Sequence, residues 1–341
     1  MAPQFQSLLG RIVAGEDLTQ EEMSQAMGAV MSGECGEDQI ALLLTSLNAK
    51  GETVEELAGA ASAMRNHMTP IKSRHEKLLD TCGTGGGGSQ TFNISTTAAL
   101  VIAACGVPVA KHGNRSVTSR SGSADVLSEL GVNIEASVPQ VERCLDKLGI
   151  CFCFAPLMHP AMRHVAAVRK KLGVRTIFNS LGPLSNPAGA THQLMGVGLP
   201  EMRVPLAAAL ARLGVKRALV VSGSDGLGEM TLNGATNATW VQGTMTKDTE
   251  YTPADFGLGE TNLERIHVAN PQESASKVRS VLLGEEGPAR DIVLLNAAAG
   301  LMTFGVAEDP QESVARAAEA IDSKAAVKLA ESLAELSHQS I

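Results

Sequence analysis

The chain has 341 residues, of which 44% are hydrophobic and 19% are charged, and its formal net charge is −8. A chain of this length and composition can bury a sizeable core, so we expect a folded, soluble protein of one large or two moderate domains. The negative balance argues against a general nucleic-acid-binding protein, because such proteins draw most of their affinity from cations on phosphates. With one Trp, one Tyr and seven Phe, the core must be mainly Ala, Leu and Val, which is typical of helix-rich α/β proteins.

Cysteine usage and the N-terminal segment bear on the cell compartment. The six cysteines form no CxxC or CxxH pair and most of them lie in apolar runs, which indicates buried free thiols in a reducing compartment. Charges at Arg11 and Glu16 argue against a signal peptide, and no apolar stretch approaches the length of a membrane span. We therefore predict a cytoplasmic protein without a membrane partner.

Residues 1–70 show helical patterns and no strand pattern. Predicted helices cover Phe5–Ala14, Thr19–Ser32, Glu37–Lys50 and Thr53–His67. The second and the fourth begin with capping boxes, Thr19 with Glu22 and Thr53 with Glu56. We predict a small helical domain over residues 1–72, completed by a helical segment near residues 160–190. Its Ala, Met and Leu faces fit a dimer surface and the domain's own core equally well.

Strand and helix patterns alternate from Lys77 onward. The predicted strands are Leu78–Thr81, Val107–Lys111, Val132–Ile134, Ile150–Phe154, Arg175–Ile177, Ala218–Ser222, Thr239–Val241 and Ile292–Leu295. Helices between most of them predict an α/β domain over residues 73–341, with a mainly parallel sheet covered on both faces. Ligands of such sheets bind at the carboxyl ends of the strands. We expect residues 248–266 to form an irregular surface excursion and residues 311–338 an amphipathic helical tail.

A glycine-rich segment follows the first predicted strand, and five of the six residues from Gly83 to Gly88 are glycine. Without side chains in the way, backbone N–H groups can close on an anion, and the next helix adds its unpaired N-terminal donors. Asn93, Ser95 and Thr96 are suitable N-cap residue types for that helix. The segment therefore predicts a phosphate-binding loop.

The spacing of these glycines also matches the dinucleotide-binding pattern GxGxxG. That interpretation needs an acidic residue about 20 positions further on, to bind the ribose hydroxyls. The stretch from Ile102 to Arg120 contains none, and no Lys-Ser or Lys-Thr pair follows the glycines as a P-loop requires. Both nucleotide-binding patterns are therefore disfavoured.

Cations and hydroxyls follow the second predicted strand. Lys111, His112, Asn114 and Arg115 lie within five residues, and five hydroxyl side chains follow over residues 116–123. Together with backbone donors, these groups are suited to a polyphosphate.

A second glycine-containing loop, SGSDGLGEM at residues 222–230, follows the predicted strand Ala218–Ser222. Asp225 and Glu229 beside a phosphate site indicate Mg²⁺, which prefers carboxylate oxygens and substrate phosphates. Taken alone, both residues fit ordinary turn positions as well.

Between these segments, HPAMRHVAAVRKKLG predicts a helix with Pro160 at its first position and Gly173 at its C-terminus. Its basic side consists of Arg163, Arg169, Lys170 and Lys171, which a solvated helix face would also explain. The loop that follows contains Gly182, Pro183, Pro187 and Gly189. Such a loop shapes a pocket or a hinge, or only turns a corner.

These motifs together resemble one known family. GTGG with TFNIST, KHGNRSV with SGSADVL, FAPLMHPAMRHV, RTIFN with LGPLSNPA, and the DGL loop are similar to the anthranilate phosphoribosyltransferases, and the similarity covers nearly the whole chain. The resemblance implies a small helical domain, a larger α/β domain of the nucleoside-phosphorylase type, and a homodimer formed through the helical domain. It implies transfer of phosphoribosyl from 5-phosphoribosyl 1-diphosphate to the amine of anthranilate, in tryptophan biosynthesis.

The resemblance also implies roles for individual residues. The phosphoribosyl diphosphate site would comprise Gly83, Thr84, Gly85, Gly86, Asn93, Ser95, Thr96, Lys111 and Ser123. The anthranilate site would comprise Gly83, His112, Asn114, His159, Arg169, Gly182 and Pro183. Ser95 and Glu229 would bind Mg²⁺, and Lys111 and Arg169 would be catalytic.

The chain departs from the family pattern at two positions, and each departure removes an acid. The family loop GTGGD has Gly87 here, and the family loop DGLDE has Gly228 before Glu229. Both acids belong to the Mg²⁺–diphosphate part of the site. We therefore expect a single Mg²⁺, bound by Ser95, Glu229 and the diphosphate itself.

Three alternatives remain open at this point. A nucleoside phosphorylase of the same fold would share the phosphate site but would lack KHGNRS and GPLSNPA. A paralogue that uses another aromatic amine would vary the acceptor residues, whereas Asn114, Arg169 and Pro183 match the family. A non-catalytic, nucleic-acid-binding relative would explain the two missing acids, but the net charge of −8 opposes it.

Overall fold

The computed structural model describes residues 3–84, 90–116 and 119–340. It begins with four helices, α1 (Pro3–Val13), α2 (Gln20–Met31), α3 (Glu37–Lys50) and α4 (Val54–Asn66). The capping boxes predicted for α2 and α4 are present, because the side chains of Thr19 and Thr53 accept from the backbone N–H groups of Glu22 and Glu56. The four predicted N-terminal helices are therefore confirmed, with bounds shifted by one or two residues.

A mixed sheet follows the helical bundle. Its strands are β1 (Leu79–Asp80), β2 (Val109–Gly113), β3 (Ile150–Phe154), β4 (His192–Gly196), β5 (Arg217–Gly223), β6 (Thr236–Gln242) and β7 (Met245–Tyr251). Within the described residues the strand order is β3-β2-β1-β4-β5-β6-β7. The first five strands in this order run parallel, and β6 and β7 add antiparallel pairs at one edge. The predicted mainly parallel sheet is confirmed.

Helices cover both faces of this sheet. They are α5 (Ile94–Ala104), α6 (Ser123–Glu129), α7 (Val138–Leu148), α8 (Ala155–Met158), α9 (Arg163–Leu172), α10 (Phe178–Leu184), α11 (Arg203–Arg212), α12 (Pro271–Leu282), α13 (Pro288–Phe304), α14 (Pro310–Asp322) and α15 (Ala325–His338). Short 3-10 turns occur at Pro160–Met162, Pro200–Met202, Pro253–Phe256 and Leu263–Ile266.

The two faces of the sheet belong to two hydrophobic cores. Along β5, Leu219 and Val221 pack into the core with α5 and α13, whereas Ala218 and Val220 pack into the core with α1–α4. This alternation follows from the two-residue repeat of a strand. Helices α9, α10 and α11 share the second core with the bundle, so the bundle packs directly against one sheet face. The domain boundary at residue 72 stays a prediction.

Three predicted strands are wrong. Ile292–Leu295 lies inside α13, a helix that is buried over most of its length, and a short apolar run does not distinguish a buried helix from a buried strand. Val132–Ile134 is a loop, and Arg175–Ile177 leads into α10.

Two strands were missed. β4 begins with the polar pair His192 and Gln193, and β7 is a largely exposed edge strand. The surface excursion predicted from residue 248 therefore begins inside β7, and neither strand has the apolar signal that the prediction needed.

The described chain has no helix that is long and apolar enough to cross a membrane. All six cysteines are free thiols. Cys144, Cys151 and Cys153 are buried, and the other three are partly buried.

Candidate functional site

A cavity of about 410 Å³ opens where strands β1 to β5 end. Residues predicted from the sequence line it together, namely Gly83, Thr84, Asn93, Ser95, Thr96, Lys111, His112, Asn114, Ser123, Arg169, Gly182, Pro183 and Glu229. His159 is buried behind His112 and does not line the cavity. Gly85, Gly86 and Gly87 lie outside the described residues. The parallel strands thus bring to one place residues that are up to 146 positions apart, from 83 to 229.

Four polar residues that line the cavity, Ser95, Thr96, Lys111 and Glu229, are called the carboxylate cluster below. Burial raises the pKa of Glu229 to about 7, and the nearby Lys111 ammonium and hydrogen bonds from Ser95 partly oppose the rise. Lys111 is itself buried, and its Nζ donates to the backbone oxygen of Thr81 at 3.3 Å and to its hydroxyl at 3.2 Å. The cluster therefore holds a carboxylate whose charge its surroundings only partly compensate.

Thr96 adds an unpaired group to this cluster. Its hydroxyl oxygen is buried, and no hydrogen-bond partner for it exists in the described part of the chain. A buried hydroxyl without a partner loses free energy relative to water. A bound anion that accepts from this hydroxyl would remove that loss.

Glu229 is positioned by a loop that is held at both ends. Asp225 accepts from the backbone N–H of Leu227 at 3.1 Å and from the Thr231 hydroxyl at 2.8 Å. Asn296 on α13 binds the N–H and the carbonyl of Met230, both at 3.0 Å. Asp225 is thus used within the loop, and Glu229 is the acid that reaches the cavity. The sequence analysis missed Asn296, a polar residue inside an otherwise apolar helix.

Close backbone packing leaves no room for a side chain beside this loop. A Cβ atom on Gly196 would lie 1.9 Å from the carbonyl oxygen of Gly228. A Cβ atom on Gly228 would lie 3.0 Å from the backbone nitrogen of Gly198. The loop that carries Glu229 therefore packs against the end of β4 through glycine backbone alone.

Asn93 connects the start of α5 to the serine-rich loop. It occupies the N-cap position, as predicted, but its side chain makes no capping hydrogen bond. Instead, its Oδ1 accepts from the hydroxyls of Ser121 and Ser274, each at 2.7 Å. In the same loop, the Asp125 carboxylate accepts from the backbone N–H groups of Ser116 and Gly122. Side chains thus define the shape of the loop that lines one side of the cavity.

The opposite group of lining residues is called the Gly182 wall and consists of His112, Arg169, Gly182 and Pro183. The Nδ1 atom of His112 lies 3.0 Å from the carbonyl oxygen of Gly182. Because a carbonyl only accepts, His112 must carry its proton on Nδ1. Its Nε2, 3.2 Å from His159 Nε2, must then accept from His159.

Both imidazole rings are therefore neutral. Burial lowers the pKa of His112 to about 3 and that of His159 to about 4. The Ser185 backbone partly opposes the lowering of the His159 pKa, although the Nδ1 of His159 forms no hydrogen bond of standard geometry with a described residue. The Gly182 carbonyl thus fixes the tautomer of His112, and His159 packs behind it.

Asp80 is hydrogen-bonded to the backbone of His112, a residue of the same wall. Its role was not predicted from the sequence. Asp80 is fully buried, and its carboxylate accepts from the His112 backbone N–H at 3.1 Å and from Asn186 Nδ2 at 2.8 Å. Burial raises its pKa to about 6, and the Lys111 ammonium opposes the rise. The signal available in the sequence was one acid inside the apolar run KLLDTC.

The basic side of α9 divides into two parts. The guanidinium of Arg169 lies 5.4 Å from the centre of the Phe178 ring and lines the cavity, and burial lowers its pKa. Lys171 is exposed and pairs with Glu37 of α3. The solvated-face interpretation therefore fits Lys171 and not Arg169. Phe178 and Asn179 also line the cavity and were not predicted.

Two sets of residues are candidate ligands for a metal ion. Among the described residues, ligand atoms of Asp80, Cys82 and His112 lie within 4.8 Å of one another, but Asp80 and His112 already use these atoms in hydrogen bonds. Ser95 and Glu229 offer a hydroxyl and an undercompensated carboxylate that face the cavity. This oxygen donor set fits one Mg²⁺ that completes its coordination with ligand oxygens and water.

Two family models match the chain. The α/β domain of a glycosyl transferase family matches residues 75–327, and the helical bundle domain of a glycosyl transferase family matches residues 6–68. The chain is 50% identical over 331 residues to an anthranilate phosphoribosyltransferase of Rhodopirellula baltica, with 97% of each chain covered.

Solved structures agree with these matches. The crystal structure of anthranilate phosphoribosyltransferase from Thermus thermophilus is similar with a TM-score of 0.92 and 44% identity, covering 97% of this chain and 99% of that one. The Saccharomyces cerevisiae enzyme in complex with PRPP and Mg is similar with a TM-score of 0.90 and 27% identity, covering 99% of this chain and 98% of that one.

Proposed function

This chain belongs to the anthranilate phosphoribosyltransferase family, and we propose that it transfers the phosphoribosyl group of 5-phosphoribosyl 1-diphosphate (PRPP) to the amine of anthranilate. The products are N-(5-phosphoribosyl)anthranilate and diphosphate, and the reaction belongs to tryptophan biosynthesis. The observation that carries the proposal is the single cavity that unites an anion-binding cluster with a preformed wall on its other side. The relatives named above carry the same activity in their names.

The carboxylate cluster serves the diphosphate leaving group. As the bond between ribose C1 and diphosphate breaks, negative charge grows on the departing oxygens and positive charge on the sugar. The Lys111 ammonium and the Thr96 hydroxyl are the donors that we place beside that charge. Preorganised donors of this kind stabilise a transition state more than a ground state.

One Mg²⁺ fits the residues of this cluster, with Ser95 and Glu229 as its protein ligands. When bound, the ion would neutralise charge on the diphosphate oxygens. The absence of an acid at Gly228, where the family pattern has one, supports a single ion. Activity should rise with Mg²⁺ concentration along the curve of a single saturating site. A curve that requires a second, weaker site would contradict the single-ion proposal.

The Gly182 wall serves the acceptor. The anthranilate amine is a neutral aryl amine, and it can attack C1 without first losing a proton to a strong base. What it requires is alignment with C1, which His112, Gly182 and Pro183 supply as a fixed surface and Arg169 as a cation for the acceptor's carboxylate. The new C1–N bond forms as the C1–O bond breaks, and the extra amine proton then leaves to solvent. In agreement, the described cavity residues contain no serine–histidine or cysteine–histidine pair at hydrogen-bond distance.

We also propose that the protein is a cytoplasmic homodimer. Two large apolar side chains of the helical bundle, Val13 and Leu42, are 51% and 45% exposed, and a partner subunit would cover such residues. Light scattering of the purified protein should give a mass of about twice 35.4 kDa. A monomer at micromolar concentration would contradict this part of the proposal.

Product identification tests the reaction itself. Purified protein with PRPP, anthranilate and Mg²⁺ should form a product with the mass of N-(5-phosphoribosyl)anthranilate and release diphosphate, and omission of any component should abolish both. Replacement of anthranilate by other aromatic amines tests the paralogue alternative, which a faster reaction with another amine would favour. A salt-sensitive DNA mobility shift without product formation would favour the nucleic-acid-binding alternative.

A further inference from the structure

A residue of the helical bundle contacts the end of α10, directly after the Gly182 and Pro183 part of the Gly182 wall. Arg65 lies in the last turn of α4 and is partly buried. Its Nε donates to the carbonyl oxygen of Leu184 at 2.7 Å, and its Nη1 donates to the carbonyl oxygen of Leu213 at 3.3 Å. Leu184 is the last residue of α10 and Leu213 is the C-cap of α11. One guanidinium thus joins three helices.

Arg65 forms no ion pair with a carboxylate in the described part of the chain, and burial lowers its pKa. An uncompensated buried cation is costly. The partial negative charge at the C-terminus of α11 and the two unpaired carbonyls offset part of that cost. The guanidinium therefore pairs with carbonyl oxygens at the ends of two helices and not with a carboxylate.

The end of α10 needs such external donors. In a continued helix, the Pro183 carbonyl would accept from residue 187, but Pro187 has no N–H. The Leu184 carbonyl would accept from Ala188, whose N–H donates instead to the Asn186 side chain at 2.9 Å. Two successive carbonyls at the end of α10, those of Pro183 and Leu184, are thus left without backbone partners.

Three consecutive carbonyls, those of residues 182, 183 and 184, each form a hydrogen bond with a side chain from a different element. His112 of β2 binds the Gly182 carbonyl, Gln193 of β4 binds the Pro183 carbonyl at 2.7 Å, and Arg65 of α4 binds the Leu184 carbonyl. Two of the three come from the sheet, and the third comes from the helical bundle. The position of the wall therefore depends on both domains.

We propose that Arg65 is a positioning residue for acceptor binding: it links the helical bundle to the Gly182 wall and sets the distance of that wall from the carboxylate cluster. Arg65 does not line the cavity, so it acts through Gly182 and Pro183. The proposal rests on the proposed function, since it assigns the wall to anthranilate.

The test compares Arg65→Met with a matched control. Loss of a hydrogen bond from a charged group to the wall should raise KM for anthranilate about tenfold, while KM for PRPP changes less than about twofold. Arg212→Met is the control, because Arg212 of α11 pairs with Glu55 of α4 across the same helix junction but is exposed. The control should leave both KM values unchanged. An equal rise of both KM values in Arg65→Met, or no rise, would overturn the proposal.

A second variant and a second readout cover the case in which Arg65→Met does not fold. Arg65→Lys keeps the charge and one donor, so a rise in KM for anthranilate that is smaller than in the Met variant but selective is expected; an unselective or absent change overturns the proposal. Hydrogen exchange of the substrate-free protein should accelerate in residues 178–190 and not in residues 94–104. If wild-type protein forms no product, the proposed function fails, whereas this exchange difference still decides the role of Arg65.

Discussion

The carboxylate cluster and the Gly182 wall line one cavity but differ in how their polar atoms are used. In the cluster, the buried Thr96 hydroxyl has no hydrogen-bond partner among the described residues, and the Ser95 hydrogen bonds and the Lys111 ammonium only partly oppose the rise that burial causes in the pKa of Glu229. In the wall, the Nδ1 of His112 is hydrogen-bonded to the Gly182 carbonyl. A ligand would therefore contact a surface whose polar atoms are already paired. Charge stabilisation is thus concentrated on one side, and shape on the other.

This difference predicts different kinetic effects of substitution. A change in the cluster removes interactions that grow as diphosphate departs, so it should lower kcat. A change in the wall or behind it displaces a preformed surface, so it should raise KM for anthranilate.

Lys111→Ala should give the largest effect. Loss of the buried ammonium beside the leaving group should lower kcat by about 10³-fold, the order found when a preorganised transition-state donor is removed. Steady-state loss of anthranilate fluorescence measures this. Lys170→Ala, on the exposed side of α9, is the control and should be neutral; a Lys111→Ala enzyme within tenfold of wild type would mean that the cluster does not carry catalysis.

Glu229→Gln should lower kcat by about 10²-fold and shift the Mg²⁺ requirement to a concentration at least about tenfold higher, since a neutral amide is a weaker ligand. Chelation of Mg²⁺ should abolish wild-type activity. The exposed Glu250 on β7 provides the control variant Glu250→Gln. An unchanged Mg²⁺ titration in Glu229→Gln would remove Glu229 from the metal site.

His112→Ala should raise KM for anthranilate about tenfold through loss of one hydrogen bond to the wall, with kcat reduced far less than in either cluster variant. The measurement is the same fluorescence assay with each substrate varied in turn. A His112→Ala enzyme that binds both substrates normally but does not turn over would contradict the division, because it would assign proton transfer to the wall.

His159→Gln should have the smallest effect, visible as a change in pH dependence. Burial lowers the pKa of His159 to about 4, so between pH 4 and 6.5 the folded state binds fewer protons than the unfolded state. Its contribution to stability is therefore present above pH 6.5 and is lost as the pH falls toward 4. From pH 7.5 to pH 5.5, wild type should lose about 1 kcal/mol more free energy of unfolding than the variant does. Urea unfolding at both pH values measures this, and parallel losses would contradict the neutral, buried histidine pair.

The cavity itself was predictable from the sequence because its chemistry is local. Glycines, hydroxyls and cations that follow strands mark an anion site, and strand ends meet at one edge of a parallel sheet. The residues behind the cavity were not predictable. Asp80, Gln193 and Arg65 act on partners that are 106, 10 and 119 positions away, respectively, in the described structure. Their roles depend on packing and not on a motif, and only their polarity within apolar segments gave a signal.

The prediction of secondary structure also failed where packing against distant residues decides the outcome. Ile292–Leu295 belongs to a helix enclosed by core on all sides, and its apolar run lacks the periodicity that separates helix from strand. The capping boxes at Thr19 and Thr53, which depend on neighbours three positions away, were predicted and are present. Local hydrogen bonding is thus encoded in short sequence spans, whereas the burial of a whole element is decided by distant partners.

The most direct test of the account follows anthranilate fluorescence with purified protein and PRPP across a Mg²⁺ series. Consumption should require all three components and should rise with Mg²⁺ along the curve of a single saturating site. No consumption in the presence of all three components would contradict the proposed transfer reaction, and consumption without Mg²⁺ would contradict the role assigned to the carboxylate cluster.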